Sequence, residues 1–213
     1  MTQTPLLILG AGTFAVEVLD AAELAGVPVL GFVVSEPSLR TTPTLEGLPV
    51  YTFDDLPPDA RGATCIAGIV STKRAAIVDA ARERGFAFAS VRHPSAVVSP
   101  RARVAPGAFI GAGVIVSANT EVGPHVILNR GANVAHDVVL ESLATVGPGV
   151  IVAGAVRVRT RAWIGVGAVV RDHVEIGAGA VVGAGAVVVK PVPAHTMVAG
   201  IPAVVSREGV DGL

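Results

Sequence analysis

A six-residue rhythm of aliphatic and small residues dominates the chain over 98–187. Every sixth residue is aliphatic, running Val98, Val104, Ile110, Val116 and onward to Val182 without a slip. Four places after each stands a small or β-branched residue, from Ala102 and Ala108 through to Ala186. This period fits neither a 3.6-residue helix nor a two-residue strand alternation sustained over such a length. It is the signature of a parallel β-helix in which each hexad forms one flat side. First-position residues fill the interior of a triangular prism and the small fifth-position residues fit beside them. Gly, Asp, Asn and Pro crowd the third and fourth positions, as turns between short strands require. With three hexads to a turn, residues 18 apart stack in columns.

The pattern before the hexads is different. An apolar run, 6–9, leads into Gly10-Ala11-Gly12-Thr13-Phe14-Ala15, and Val16, Leu19 and Leu24 then carry helical spacing up to Gly26. The stretch 29–34 reads as a second buried strand, 35–47 as a loop rich in Pro, Thr and Ser, and 64–70 as another apolar strand. Thr72 is placed to cap a helix running to Arg84, Gly85 closes it, and 86–91 reads as a last strand. Strand, glycine turn, helix and strand in this order imply an α/β unit with a parallel sheet. Gly10-x-Gly12-x-x-Ala15 matches the dinucleotide fingerprint, in which glycine lets the backbone approach a phosphate at a helix N-terminus. A plain strand-to-helix turn fits the same residues equally well. The unit is one mononucleotide-sized half, which argues against an NAD-dependent dehydrogenase.

The expected organisation is a Rossmann-like domain at 1–92, a β-helix domain at 93–193 and a C-terminal tail at 194–213. His93-Pro94-Ser95-Ala96 marks the first boundary, and Lys190-Pro191-Val192-Pro193 ends regular strand pairing. The polar end of the tail is expected to fray.

Composition narrows the picture. The chain is 51% hydrophobic but only 4% aromatic, so the core is built from Val, Ala and Ile and depends on regular stacking. A formal net charge of -1 argues against nucleic-acid binding. Cys65 is alone and sits in an apolar run, which reads as a buried structural thiol without disulfide or metal chemistry. The N-terminus lacks a basic stretch before an apolar segment, and Glu17 and Asp20 interrupt the one long apolar region there. No signal peptide or membrane span is expected, and a cytoplasmic protein follows.

The small α/β unit, His93-Pro94-Ser95-Ala96, the hexads and Gly200-Ile201-Pro202-Ala203 together resemble the left-handed β-helix sugar O- and N-acetyltransferases. The subgroup most resembled acetylates the amino group of nucleotide-linked amino sugars or the hydroxyls of sialic acid. The resemblance implies the left hand of the helix, a homotrimer, and acetyl-CoA held in the cleft between neighbouring prisms. It also implies that the sugars made feed surface polysaccharide.

The segment Asn129-Arg130-Gly131-Ala132-Asn133-Val134-Ala135-His136-Asp137 carries the family pattern of Asn, then a His followed by an acid. His136 resembles the family's catalytic base and Asp137 the acidic neighbour that supports it. The hexad reading agrees, because His136 holds a third position, a corner that points outward. Imidazole suits proton transfer near neutral pH, and an adjacent carboxylate orients it. Neither a nucleophilic Ser nor Cys is required, because a thioester is already activated.

Among the other histidines, His125 and His173 hold fourth positions and are expected to be exposed and structural. His93 is placed to line the substrate cleft, and no histidine spacing suggests a metal site.

Asn129, Gly147, Gly165 and Gly183 form one column with Gly111 at its foot, expected to leave a smooth groove for an extended ligand, although such glycines also serve merely to ease a corner. The resemblance places the pantetheine arm along it, with acetyl-CoA contacts at Thr145, Gly147, Gly165, Val166, Gly183, Ala184, Gly200 and Pro202. Lys190 and Arg207 are candidates to meet CoA phosphates, although a plain solvated cation fits each better.

For the acceptor, the resemblance points to Gly12, Thr13, Phe14, Gly68 and Asn129. Where the family carries paired Asp residues after Gly-Phe, this chain has Gly31-Phe32-Val33-Val34-Ser35-Glu36, which leaves the nucleotide and its presence open, with Ser35 or Glu36 as the candidates to substitute. Two alternatives remain open: O-acetylation of a free sugar such as sialic acid, and a non-catalytic β-helix assembly module.

Overall fold

The computed structural model describes residues 4–213. Its first part is a sheet built on β1 (Leu6–Leu9), all of whose residues are buried. Around it lie α1 (Thr13–Leu24), β2 (Val29–Val34), β3 (Thr44–Leu45), β4 (Leu48–Thr52), β5 (Thr64–Ala67), α2 (Ala75–Glu83) and β6 (Ala87–Phe88). The sheet order is β3-β4-β2-β1-β5-β6, parallel except for the β3–β4 hairpin, of which β3 lies inside the stretch read as a loop. Strand alternation sorts β1 between two layers. Leu6 and Ile8 pack with Ala15, Val18 and Leu19 of α1, whereas Leu7 and Leu9 pack with Ile77 and Ala81 of α2.

From Val91–Arg92 to Val187–Val188 the chain winds into three parallel sheets of two-residue strands that pair with the strand 18 residues on, until Thr196–Ala199 adds a longer strand to one of them. One strand per coil falls on each face. First- and fifth-position residues point inward, and from Ala108 to Ala186 they form a single buried core. At the open foot of the prism Val104 is still 37% exposed. Each turn is made by a fourth-position residue with φ between +56° and +79°, from Gly107 to Gly185, without exception.

The residue just before each first position points outward and gives each face its character. Face I presents Val91, Phe109 and Ile127, which join the core beneath α1. Face II presents Val97, Ile115 and Ile151, which are exposed. Face III presents Arg103, Glu121, Arg157 and Glu175, with Arg103 and Glu121 paired across coils.

Several expectations are corrected. The run 86–91 is split: Ala87–Phe88 pairs with β5, and Val91–Arg92 pairs with the prism strand Phe109–Ile110. Ser71, rather than Thr72, caps the second helical segment, its hydroxyl accepting from Lys73 N–H at 3.2 Å, while Thr72 is buried. The tail is not frayed. Val204–Glu208 forms an antiparallel hairpin with Thr196–Ala199, Gly212 N–H donates to Gly179 at 2.8 Å, and Asp211 pairs with Arg161 at 2.7 Å. Leu213 then accepts from the Thr72 hydroxyl at 2.8 Å, tying the tail to the first part of the chain.

His125 is also corrected, being 5% exposed rather than a surface residue, because the first part of the chain covers its corner. Its ring stands edge-on to Phe88 at 4.6 Å, and a Cβ on Gly107 would come within 2.3 Å of it. Burial, then the charges of Arg82 and Arg74, push its pKa down to about 4, against a smaller opposing pull from Asp79. His173, by contrast, is exposed as expected.

Arg74 is the largest fully buried side chain. It donates to the carbonyls of Val70, Ser71, His125, Leu143 and Ala144 and to the Thr145 hydroxyl, so one guanidinium grips two coils of the prism. Among the described residues no carboxylate pairs with it, and burial lowers its pKa to about 9, which leaves it charged at neutral pH.

Candidate active site

His136 and Asp137 occupy the corner between faces II and III. Asp137 takes the turn at φ +58°, a conformation that Asp and Asn tolerate better than other side-chain-bearing residues. Its Oδ2 lies 2.8 Å from His136 Nδ1, and its Oδ1 accepts from Asn119 Nδ2 at 3.1 Å. Asn119 is the residue one coil earlier in the same column, also in a left-handed turn at φ +60°. These two hydrogen bonds, His136 first and Asn119 second, hold the Asp137 carboxyl below the usual carboxylate range. An ionised carboxylate only accepts, so in the neutral imidazole the proton sits on Nδ1 and the Nε2 lone pair is free. Both side chains are more than half exposed, so Nε2 is accessible.

One coil later in the His136 column stands Gly154. A Cβ there would lie 2.8 Å from His136 Cε1 and 3.0 Å from Nε2, so the absence of a side chain gives the ring its place. Among the described residues the Gly154 amide makes no backbone hydrogen bond. Asn119 and Gly154 escaped the sequence reading, although both lie one 18-residue step from the His136-Asp137 pair.

The corner between faces I and II carries the other residues. In the expected groove column, Gly147 and Gly165 have a packing reason rather than an open surface. A Cβ on either would stand 2.8 Å from a carbonyl of the next coil. The open glycines lie two positions further on: Gly149, Gly167 and Gly185 are exposed, and an added Cβ would meet nothing within 4 Å. Val166 and Ala184 sit on this ledge, exposed, with Gly200 and Pro202 exposed near its upper end. Gly183 is partly exposed, and its added Cβ would meet Ala199 at 3.1 Å. Thr145 is corrected as a ligand contact: it is wholly buried, and Arg74 holds its hydroxyl at 2.9 Å.

At the foot of this corner a cleft of about 670 Å³ opens between α1 and the prism. Asn129 and Phe109 line it with Glu17, Asp20, Leu24, His93 and Arg130. Asn129 Oδ1 accepts from Arg130 N–H at 2.7 Å, and Arg130 pairs with Glu17 at 3.1 Å.

Of the residues assigned to the acceptor from the α/β part, Gly12, Thr13, Ser35 and Glu36 are exposed where β1 and β2 end. In parallel α/β sheets that is where ligands lie. Phe14 is corrected, because its ring is buried against Phe109, edge-on at 5.3 Å. Gly68 is corrected too: a Cβ there would come within 2.6 Å of Ile8 and 2.9 Å of Ala15, so it serves strand–helix packing.

An accessible imidazole with a free Nε2 and an open, glycine-edged ledge flank face II on its two sides. Searched against protein-family models and against curated proteins, the chain matches none. Among solved structures it is similar to perosamine N-acetyltransferase from Caulobacter crescentus, a histidine variant held with CoA and GDP-perosamine. The two share 36% identity over 96% of this chain and 97% of that one, with a TM-score of 0.88. It is similar also to the acetyltransferase domain of PglB from Neisseria gonorrhoeae, bound to acetyl coenzyme A, at 30% identity over 95% and 99% with a TM-score of 0.86. WeeI from Acinetobacter baumannii matches at 27% identity over 95% and 100%, with a TM-score of 0.85. The chain belongs to the hexapeptide-repeat sugar acetyltransferases, the β-helix family its hexads resembled, and is an acetyl-CoA-dependent acetyltransferase.

Proposed function

We propose that this enzyme transfers the acetyl group of acetyl-CoA to the amino group of a nucleotide-linked amino sugar, in the cytoplasm, on the way to surface polysaccharide. The observation that carries the reading is the Asn119–Asp137–His136 chain, which leaves Nε2 as an exposed acceptor. His136 takes a proton from the attacking amine as the C–N bond forms. Asp137 stabilises the imidazolium, and the Gly154 amide is placed to donate to the oxyanion. Collapse of the tetrahedral intermediate breaks the C–S bond, and the proton on His136 passes to the departing CoA thiolate.

Acetyl-CoA would lie along the ledge of Val166, Ala184, Gly200 and Pro202, beside Gly147, Gly165 and Gly183. Gly12, Thr13, Ser35 and Glu36, in a Rossmann-like domain at 1–92, would receive the nucleotide, and Asn129 the sugar. The 93–193 β-helix would supply the chemistry and 194–213 the CoA end. Face II supports a homotrimer, because its exposed Val97, Ile115 and Ile151 need a partner. Packing copies along that face brings the ledge of one beside His136 of the next.

The test is acetyl transfer to a panel of UDP-, GDP-, dTDP- and CMP-linked amino sugars, including GDP-perosamine, followed by CoA thiol release and product mass. An N-acetylated nucleotide sugar is expected. Product only from sugars lacking an amine would shift the reading to O-acetylation.

A further inference from the structure

His93, Gly111 and Asn129 are stacked 18 residues apart in one column, with the two side chains flanking a residue that has none. Coils rise by about 4.8 Å, so the two backbones stand about 10 Å apart and leave a notch between their side chains. A Cβ on Gly111 would approach the backbone of the next coil, Arg130 N at 3.0 Å, so this position is held to glycine by coil stacking and carries no side chain between the two. Both side chains line the cleft against α1, with Phe109 as an aromatic wall.

The His93 ring is oriented by two donors. Ser95 N–H lies 3.1 Å from His93 Nδ1, so that nitrogen accepts. Ser95 Oγ lies 2.7 Å from the same nitrogen, while itself accepting from Gly113 N–H at 3.0 Å. The Ser95 hydroxyl proton therefore also points at Nδ1, and in the neutral ring the proton is on Nε2. Asn129 is set in the same sense: its Oδ1 is taken by Arg130 N–H, leaving its amide N–H groups free. The notch thus presents fixed donors from His93 and Asn129. The opposite wall carries Glu17, Asp20 and Glu23, of which Glu17 alone pairs with Arg130. That wall repels phosphate and accepts from hydroxyl or ammonium groups.

We propose that His93 is a specificity-determining residue that donates from Nε2 to a ring hydroxyl oxygen of the acceptor sugar, the sugar ring occupying the notch between His93 and Asn129. This rests on the amino-sugar reading above and goes beyond it by naming which side chain reads the ring. Ser95 is a positioning residue, acting only through the tautomer of His93.

The experiment is calorimetric titration of GDP-perosamine into the full chain saturated with CoA, for the wild type, H93F, H93Q and S95A, with light scattering on each. CoA affinity serves as the folding control. H93F is expected to weaken sugar binding at least 10-fold with CoA affinity unchanged, and S95A to weaken it about threefold. H93Q, which keeps an N–H donor, should stay within about threefold of wild type. Wild-type binding of the sugar with H93F equally tight would overturn the role of His93 alone. A wild type that binds no sugar would overturn the acceptor reading and this inference with it. An H93F protein that loses its assembly would assign the cleft to contact between copies and overturn the inference.

Discussion

At the scale of single residues, the chemistry depends on a turn geometry that prism building imposes anyway. Every corner needs a left-handed fourth position, and the chain places Asn119 and Asp137 in two successive turns of one column. The turn that reverses the backbone therefore also aims a carboxylate at the neighbouring imidazole. Asn119→Ala removes one of the two hydrogen bonds that lower the Asp137 pKa, so that pKa rises. Asp137 then holds the His136 ring and its imidazolium less firmly. Turnover should fall by roughly 10-fold, well short of the loss expected for removing the base itself. Turnover equal to wild type in Asn119→Ala would contradict the positioning role. This site was half legible in the sequence. His136-Asp137 stood out as a motif, whereas Asn119 and Gly154 carry no local signal and emerge only when the coil repeat is laid over them.

At the scale of elements, the hexads spelled out the prism because each repeat obeys the same packing rule, small beside aliphatic, with no long-range information needed. The glycine column shows where that reading stops. Whether a glycine faces solvent or the next coil depends on its position within the turn. Gly147 and Gly165 answer to coil stacking, while Gly149, Gly167 and Gly185 stay open. The joint between the first part of the chain and the prism was also invisible, because Arg74 and Thr145 lie 71 residues apart and neither sits in a motif.

His125, at that joint, makes a pH prediction. Its pKa falls from 6.5 to about 4 on folding, so between those values the unfolded chain holds a proton that the folded chain refuses. Folding stability should therefore drop as pH falls from about 6.5 towards 4 and level off below. The facing charges are Arg82, Arg74 and Asp79, with Phe88 against the ring. Thermal unfolding midpoints followed across this range should show a smaller acid-side decline in His125→Phe than in wild type. An identical decline in both would contradict the burial of a neutral imidazole there.

At the scale of the whole molecule, one fold gives three faces three tasks. Face I is covered by the α/β part, face III is a ladder of Arg and Glu open to solvent, and face II is aliphatic and exposed. The ledge of Val166 and Ala184 and the His136 corner flank face II on opposite sides, so the proposed assembly along it would bring the two together. The most direct test is steady-state acetyl transfer from acetyl-CoA to an amino sugar by wild type and His136→Ala, with acetyl-CoA binding measured on both. The account predicts that turnover falls by about 10²–10⁴-fold while acetyl-CoA affinity is unchanged. Full turnover in the variant would contradict it.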